Sequence, residues 1–152
     1  MAISIIAIGK KHESWIAEGV ERYQDRLKKP FNTEWVLLPH SALNDAAARQ
    51  EESERILSRC NDRDFVVLLD ERGDEIDSPQ LARLLDSTFT AGRSVTIIIG
   101  GAYGVDDHIH QRADYVWSLS PLVFPHQLVR LILAEQLYRA QSITAGHPYH
   151  HD

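Results

Sequence analysis

The chain of 152 residues has a single cysteine, Cys60, so no disulfide framework is available to it and a reducing, cytoplasmic setting suits it. It has no apolar run near the roughly 18 residues that a membrane helix needs, which excludes a spanning segment of that kind. An excess of basic charge is also missing. Sixteen Lys and Arg stand against 22 Asp and Glu, a net charge of −6, whereas a protein that coats nucleic acid would be basic. The acidic balance therefore argues against broad, non-specific RNA or DNA binding but not against a local basic patch, because phosphate contacts depend on where charges sit. Six prolines and eight glycines are too few for a flexible linker, and no repeat or low-complexity segment occurs.

What is present is an ordinary globular balance: 43% apolar and 25% charged residues, in a length that makes one domain with a real core. Residues 1–9 are apolar but carry neither a basic leader nor a small-residue cleavage site, so they read as a first strand and not as a signal peptide. Short apolar runs bounded by turn residues predict strands at 3–8, 33–38, 65–69, 95–99 and 115–118. Helical spacing fills the gaps. Trp15, Ile16, Val20, Tyr23 and Leu27 share one face. Asn44 can cap a helix running to about Arg59. Ser78-Pro79 reads as an N-cap with proline following, and Gly92 lies past that helix's end. Asp106 or Asp107 can start a short helix, and the longest runs from about 126 to 145, closed by Gly146 and Pro148. Strands alternating with helices predict an α/β fold: a mostly parallel sheet of five to six strands with helices on both faces. Residues 39–48 and 71–78 are the expected mobile loops.

In such a sheet, ligands bind beyond the carboxyl ends of the strands. Three of these ends stand out: Leu69-Asp70-Glu71, the loop from Gly100 to Gly104, and the segment 119–126. Gly100, Gly101 and Gly104 suit either a plain strand-to-helix turn or a backbone that a ligand approaches closely. The loop lacks both the dinucleotide-binding and the P-loop spacing. The segment Leu119, Ser120, Pro121, Leu122, Val123, Phe124 and Pro125 is apolar apart from Ser120, yet two prolines forbid a central strand. That combination fits an apolar ring held by main-chain hydrogen bonds, or a rigid buried connection. His126, Arg130, Glu135 and Arg139 follow on the last helix. His126 can be a helix cap, and Glu135 with Arg139 can be a surface pair at i,i+4. The tail at 147–151 holds three histidines and Tyr149, and no second ligand cluster accompanies it, so no metal is expected. Lys10, Lys11, Arg22, Arg26, Lys28 and Lys29 form a basic region that is either a solvated helix face or a phosphate-contacting patch.

The strings IIIGGAYG, WSLSPLVFPHQLVRLILAEQLYRAQSIT and HPYH, with AIGK and VVLLDERG before them, closely resemble the RlmH family over essentially the whole chain. The resemblance implies a SPOUT-superfamily enzyme with a C-terminal trefoil knot, which general topology rules would have rejected. It also implies methylation of N3 of a pseudouridine in large-subunit (23S) ribosomal RNA, with S-adenosyl-L-methionine as cofactor. Carried over by position, Leu69, Gly100 and 119–124 hold the cofactor, and Gly101 and Gly104 shape the same loop. The partners implied are the ribosomal RNA of an assembled ribosome and a second copy of the chain. His126, Arg130, Arg139 and Tyr149 are expected around the target base, with Glu135 as the rival proton acceptor. Two other readings stay open: a non-catalytic nucleotide-binding or ribosome-associated module, and, more weakly, a metal-dependent hydrolase using the tail histidines.

Overall fold

A computed structural model describes residues 2–9 and 11–151. Its elements are β1 (Ile3–Ile8), α1 (Ser14–Gln24), β2 (Thr33–Leu38), α2 (Asp45–Leu57), β3 (Phe65–Glu75), α3 (Ser78–Thr90), β4 (Val95–Ile99), α4 (Asp107–Arg112), β5 (Tyr115–Ser118) and α5 (His126–Ala145). The five strands form one sheet in the order β2-β1-β4-β3-β5, and every neighbouring pair is parallel. This agrees with the mostly parallel sheet that the sequence predicts.

Side-chain alternation explains why the strands read as continuous apolar runs. On one face Ile3, Ile5, Ala7, Val67, Val95, Ile97, Ile99 and Trp117 pack with Leu81 and Leu85 of α3 and Leu133 and Leu137 of α5. On the other, Ile6, Ile8, Val66, Leu68 and Ile98 meet Ile56 of α2 and Ile109 of α4. Both faces are covered, so both sets of positions must be apolar. Each such isoleucine, fully buried, contributes about 1.5–3 kcal/mol. Helix α1 completes the first face through Ile16 and Val20, which pack with Ala134 of α5. Helix α5 therefore lies between α1 and α3 across the sheet.

Three boundaries differ from the sequence reading. Strand β3 continues to Glu75 and does not stop at Leu69, so the expected loop at 71–78 is largely strand. Residues between Leu69 and Asp74 bulge outward, after which Asp74 and Glu75 resume pairing with Trp117 and Ser118. No apolar pattern marks this extension because its side chains are charged. Helix α1 ends at Gln24, before Leu27. The cap of α3 is Asp77 and not Ser78. Its carboxylate accepts from the Gln80 N–H at 2.8 Å, and the Gln80 side chain accepts from the Asp77 N–H at 2.8 Å. That reciprocal pair is a capping box. Asn44 does stand at the N-cap of α2, but without a side-chain cap bond.

Candidate active site

The carboxyl ends of β3, β4 and β5 open on one cavity of about 640 Å³. Its wall includes Leu69, Gly100, Gly101, Gly104, Leu119, Ser120, Leu122, Val123 and Phe124, together with His126 from the first turn of α5. Pro121 is exposed and lies outside the wall. The three chain segments that the sequence singles out are thus brought together, because adjacent parallel strands all end on the same side of the sheet.

The glycines have specific reasons to be there. A Cβ on Gly101 would stand 2.6 Å from Glu52 Oε1 and 3.2 Å from Ile8, and one on Gly100 would stand 3.0 Å from Val105. Glu52 is buried behind the loop. Its Oε2 accepts from the Ser41 N–H at 2.9 Å, and its Oε1 has no hydrogen-bond partner. The loop is so closely seated that only hydrogen fits.

Sequence reasoning missed part of the wall. Asp70, Arg72 and His110 form a polar rim. The Arg72 side chain donates to Asp70 at 2.9 and 3.1 Å, and His110 Nε2 stands 3.6 Å from the same carboxylate. The Arg72 hydrogen bond holds the Asp70 carboxyl below the usual carboxylate pKa, so it is an anion at neutral pH. Arg49 donates to the Tyr103 carbonyl at 2.9 Å and ties α2 to the glycine loop. Asp70 had a sequence signal, its place at a predicted strand end. Arg49, Glu52 and His110 had none, since only the fold brings them to the loop.

Helix α5 separates the remaining expected site residues into two groups. At its start the cap position belongs to Pro125, so His126 is not the cap. The ring stands exposed at the cavity rim, and the atoms packed around it, then the positive charge of Arg130, lower its pKa below the ordinary 6.5. It is neutral at pH 7. Arg130 is only 1% exposed. It donates to the carbonyls of Ile8 at 3.0 Å, Gly9 at 3.4 Å and Lys11 at 3.2 Å, and to His12 Nδ1 at 3.3 Å. Gly9, with φ of +120°, lets the guanidinium sit against the backbone: a Cβ there would be 3.0 Å from Nη2. Burial pushes the Arg130 pKa down. One turn beyond mid-helix, Arg139 pairs with Glu135 at 2.9 Å, and Tyr149 donates its hydroxyl to the same carboxylate at 2.9 Å. Arg139 also bonds His150 Nδ1 at 2.9 Å and lies 4.8 Å over the Tyr149 ring. Burial first, then the Glu135 hydrogen bond, raises the Tyr149 pKa, which keeps the phenol protonated. Glu135, Arg139 and Tyr149 do not line the cavity. Among the described residues, no group of three or more His, Cys, Asp or Glu is placed to hold a metal ion.

A family model described as a predicted SPOUT methyltransferase matches residues 1–150. The chain belongs to this SPOUT methyltransferase family. Relatives named ribosomal RNA large subunit methyltransferase H include one from Alkalilimnicola ehrlichii, 44% identical with 99% of each chain covered. Another, from Acetivibrio thermocellus, is 41% identical, also with 99% of each covered. Two solved structures share the fold: a probable methylase family protein from Haemophilus influenzae (TM-score 0.56, 13% identity, 99% of this chain and 70% of that one) and the tRNA (m1G37) methyltransferase of Aquifex aeolicus (TM-score 0.54, 14% identity, 91% and 70%). The SPOUT fold accounts for the α/β architecture, and the family makes the cavity at the strand ends the place to look for methyl transfer. No helix among the described residues is long and apolar enough to cross a membrane.

Proposed function

We propose that this SPOUT protein transfers a methyl group from S-adenosyl-L-methionine to N3 of a pseudouridine in large-subunit (23S) ribosomal RNA, acting on the assembled ribosome as a cytoplasmic homodimer. One observation carries the reading: a glycine loop and an apolar, proline-bounded loop meet at the carboxyl ends of three parallel strands, with a neutral histidine at the rim. The relatives' name supplies the RNA, and the pseudouridine and its N3 rest on the family resemblance. A C-terminal trefoil knot belongs to the same proposal. The connections after β4 and after β5 both reach the same cavity, which is compatible with such a thread.

The residues present fit the cofactor. Leu69, Leu119 and Phe124 offer apolar walls for an adenine ring, and half-buried Gly100 offers bare backbone at the wall. When bound, S-adenosyl-L-methionine supplies an electrophilic methyl on a sulfonium. The protein's share is alignment and proton handling. The walls hold the reactants in line, which is a major source of rate in a displacement of this kind. N3 carries a proton that must leave, and His126, neutral at pH 7, accepts it. Arg130, bound to the carbonyls of Ile8 and Gly9, fixes the chain beside His126 and biases that ring toward its neutral form.

Within one chain, Glu135, Arg139 and Tyr149 stand apart from the cavity. A homodimer in which one subunit's tail meets its partner's cavity would join the two groups. Leu122 and Val123, 68% and 79% exposed beside the cavity, are apolar surface that a second subunit would cover.

Incubating ribosomal particles with labelled S-adenosyl-L-methionine and mapping the label by mass spectrometry tests the reading. Label on one pseudouridine of the large-subunit RNA is expected. Binding of the methyl donor with no transfer to any particle would favour a non-catalytic, ribosome-associated module.

A further inference from the structure

A second concavity, of about 890 Å³, lies at the opposite end of α5 and shares no wall residue with the first. The turn after α1 forms one side, with Arg26, Lys28 and Lys29. The last turns of α5 and the tail form the other, with Tyr138, His147 and Tyr149. Three cations face one carboxylate, Asp25, in a chain whose net charge is −6. The methyl-transfer chemistry uses none of these cations.

The wall is built in advance. Phe31 is buried in the core and Leu27 packs against it, so the cations between them are turned to solvent. The Gln141 side chain donates to the Arg26 carbonyl at 2.9 Å and accepts from the Lys28 N–H at 2.7 Å, which fixes the turn to α5. Tyr149 meets Tyr138 edge to face, with centroids 4.7 Å apart, and Arg26 stands 5.9 Å from the Tyr138 ring. Arg26 over Tyr138 and Arg139 over Tyr149 already cover the rings, so the tyrosines fix the wall, and the clustered cations are the part that suits a nucleic-acid strand, through its phosphates.

We propose that this groove seats the phosphodiester backbone of a segment of the RNA, with Arg26, Lys28 and Lys29 on its phosphates. The inference rests on the methyltransferase reading for the identity of the RNA. It supplies a concentrated local site for phosphate on a chain whose net charge is −6.

The test has two arms. In the first, the full-length triple variant Arg26→Ala, Lys28→Ala, Lys29→Ala methylates ribosomal particles. Its KM for particles is expected to rise about tenfold or more, and the salt dependence of particle binding to flatten by about 2–3 in slope, one per lost phosphate contact. Affinity for S-adenosyl-L-methionine, thermal midpoint and dimer mass should hold. Arg83→Ala, an exposed cation on α3, is the control that should change nothing. In the second arm, a fluorescent single-stranded RNA decamer binds the protein at low salt. The triple variant should weaken it about tenfold, and Arg83→Ala should leave it unchanged. An unchanged particle KM in the triple variant overturns the proposal, as does loss of the dimer, which would make the groove a subunit interface. If the wild type methylates no particle, the methyltransferase reading fails on its own, and the decamer arm still decides the groove. Absence of decamer binding by the wild type then overturns it.

Discussion

The two ends of α5 handle charge in opposite ways. At its start, Arg130 is buried, its Nη groups on backbone carbonyls and His12 and its Nε without a hydrogen-bond partner, and His126 near it is driven to the neutral form. Toward its end, Arg139 lies near the surface in a saturated network with Glu135, Tyr149 and His150. The first arrangement stores an uncompensated cation beside a cavity, where it shapes a pKa. The second cancels its charges internally and fixes the position of the tail. The same residue type on one helix thus acts electrostatically at one end and as a positioning device at the other.

The sharpest way to break this comparison is His126→Ala. Single-turnover methylation should fall about 10²-fold or more if the ring accepts the proton. In the wild type, the acidic limb of the rate should lie below pH 6.5, because the atoms packed around the ring and then Arg130 lower the pKa. A variant with an unimpaired rate would end the assignment.

Arg130→Met comes next. It leaves the carbonyls of Ile8 and Gly9 without a donor and should cost about 3 kcal/mol of folding stability in a denaturant titration. An effect confined to rate would instead place Arg130 at the substrate. The histidines around it also give stability a pH dependence. His12 and His126 both have lowered pKa values, so the folded chain binds their protons less tightly than the unfolded chain does. Stability should therefore rise with pH up to about 6.5 and be lost as pH falls below it.

Gly101→Ala should cost about 1–3 kcal/mol and weaken methyl-donor binding, because its Cβ would stand 2.6 Å from the buried Glu52 carboxylate. Calorimetry with S-adenosyl-L-methionine reads the second effect, and unchanged affinity would separate the loop from the cofactor. The smallest change is Tyr149→Phe. It removes one hydrogen bond to Glu135, worth about 1 kcal/mol, from a network that Arg139 still holds. A larger loss in rate than in stability would mark the hydroxyl as part of the reaction.

Much of the architecture was legible in the residues. Four of the five strands have the bounds that their apolar runs predict, because both sheet faces are covered and continuous apolar sequence is the signature of that burial. The exception is β3, whose extension beyond Leu69 carries charged side chains and is held by backbone pairing with β5. Backbone pairing leaves no apolar trace. The cavity was legible in part: the glycine loop and the 119–124 segment were visible as unusual strand ends. The basic patch was visible too, although Lys10 lies outside the described residues.

By itself, then, the sequence determined the α/β layering, the two loops of the cavity and the family, since each is written in local pattern or in a long specific string. Only the tertiary structure decided that Arg130 is buried on the end of β1, that Glu52 backs the glycine loop, and that Tyr138 and Tyr149 face the turn after α1. Each of these joins residues distant along the chain, and the sheet order and the path of α5 across it, not local preference, set which of them meet.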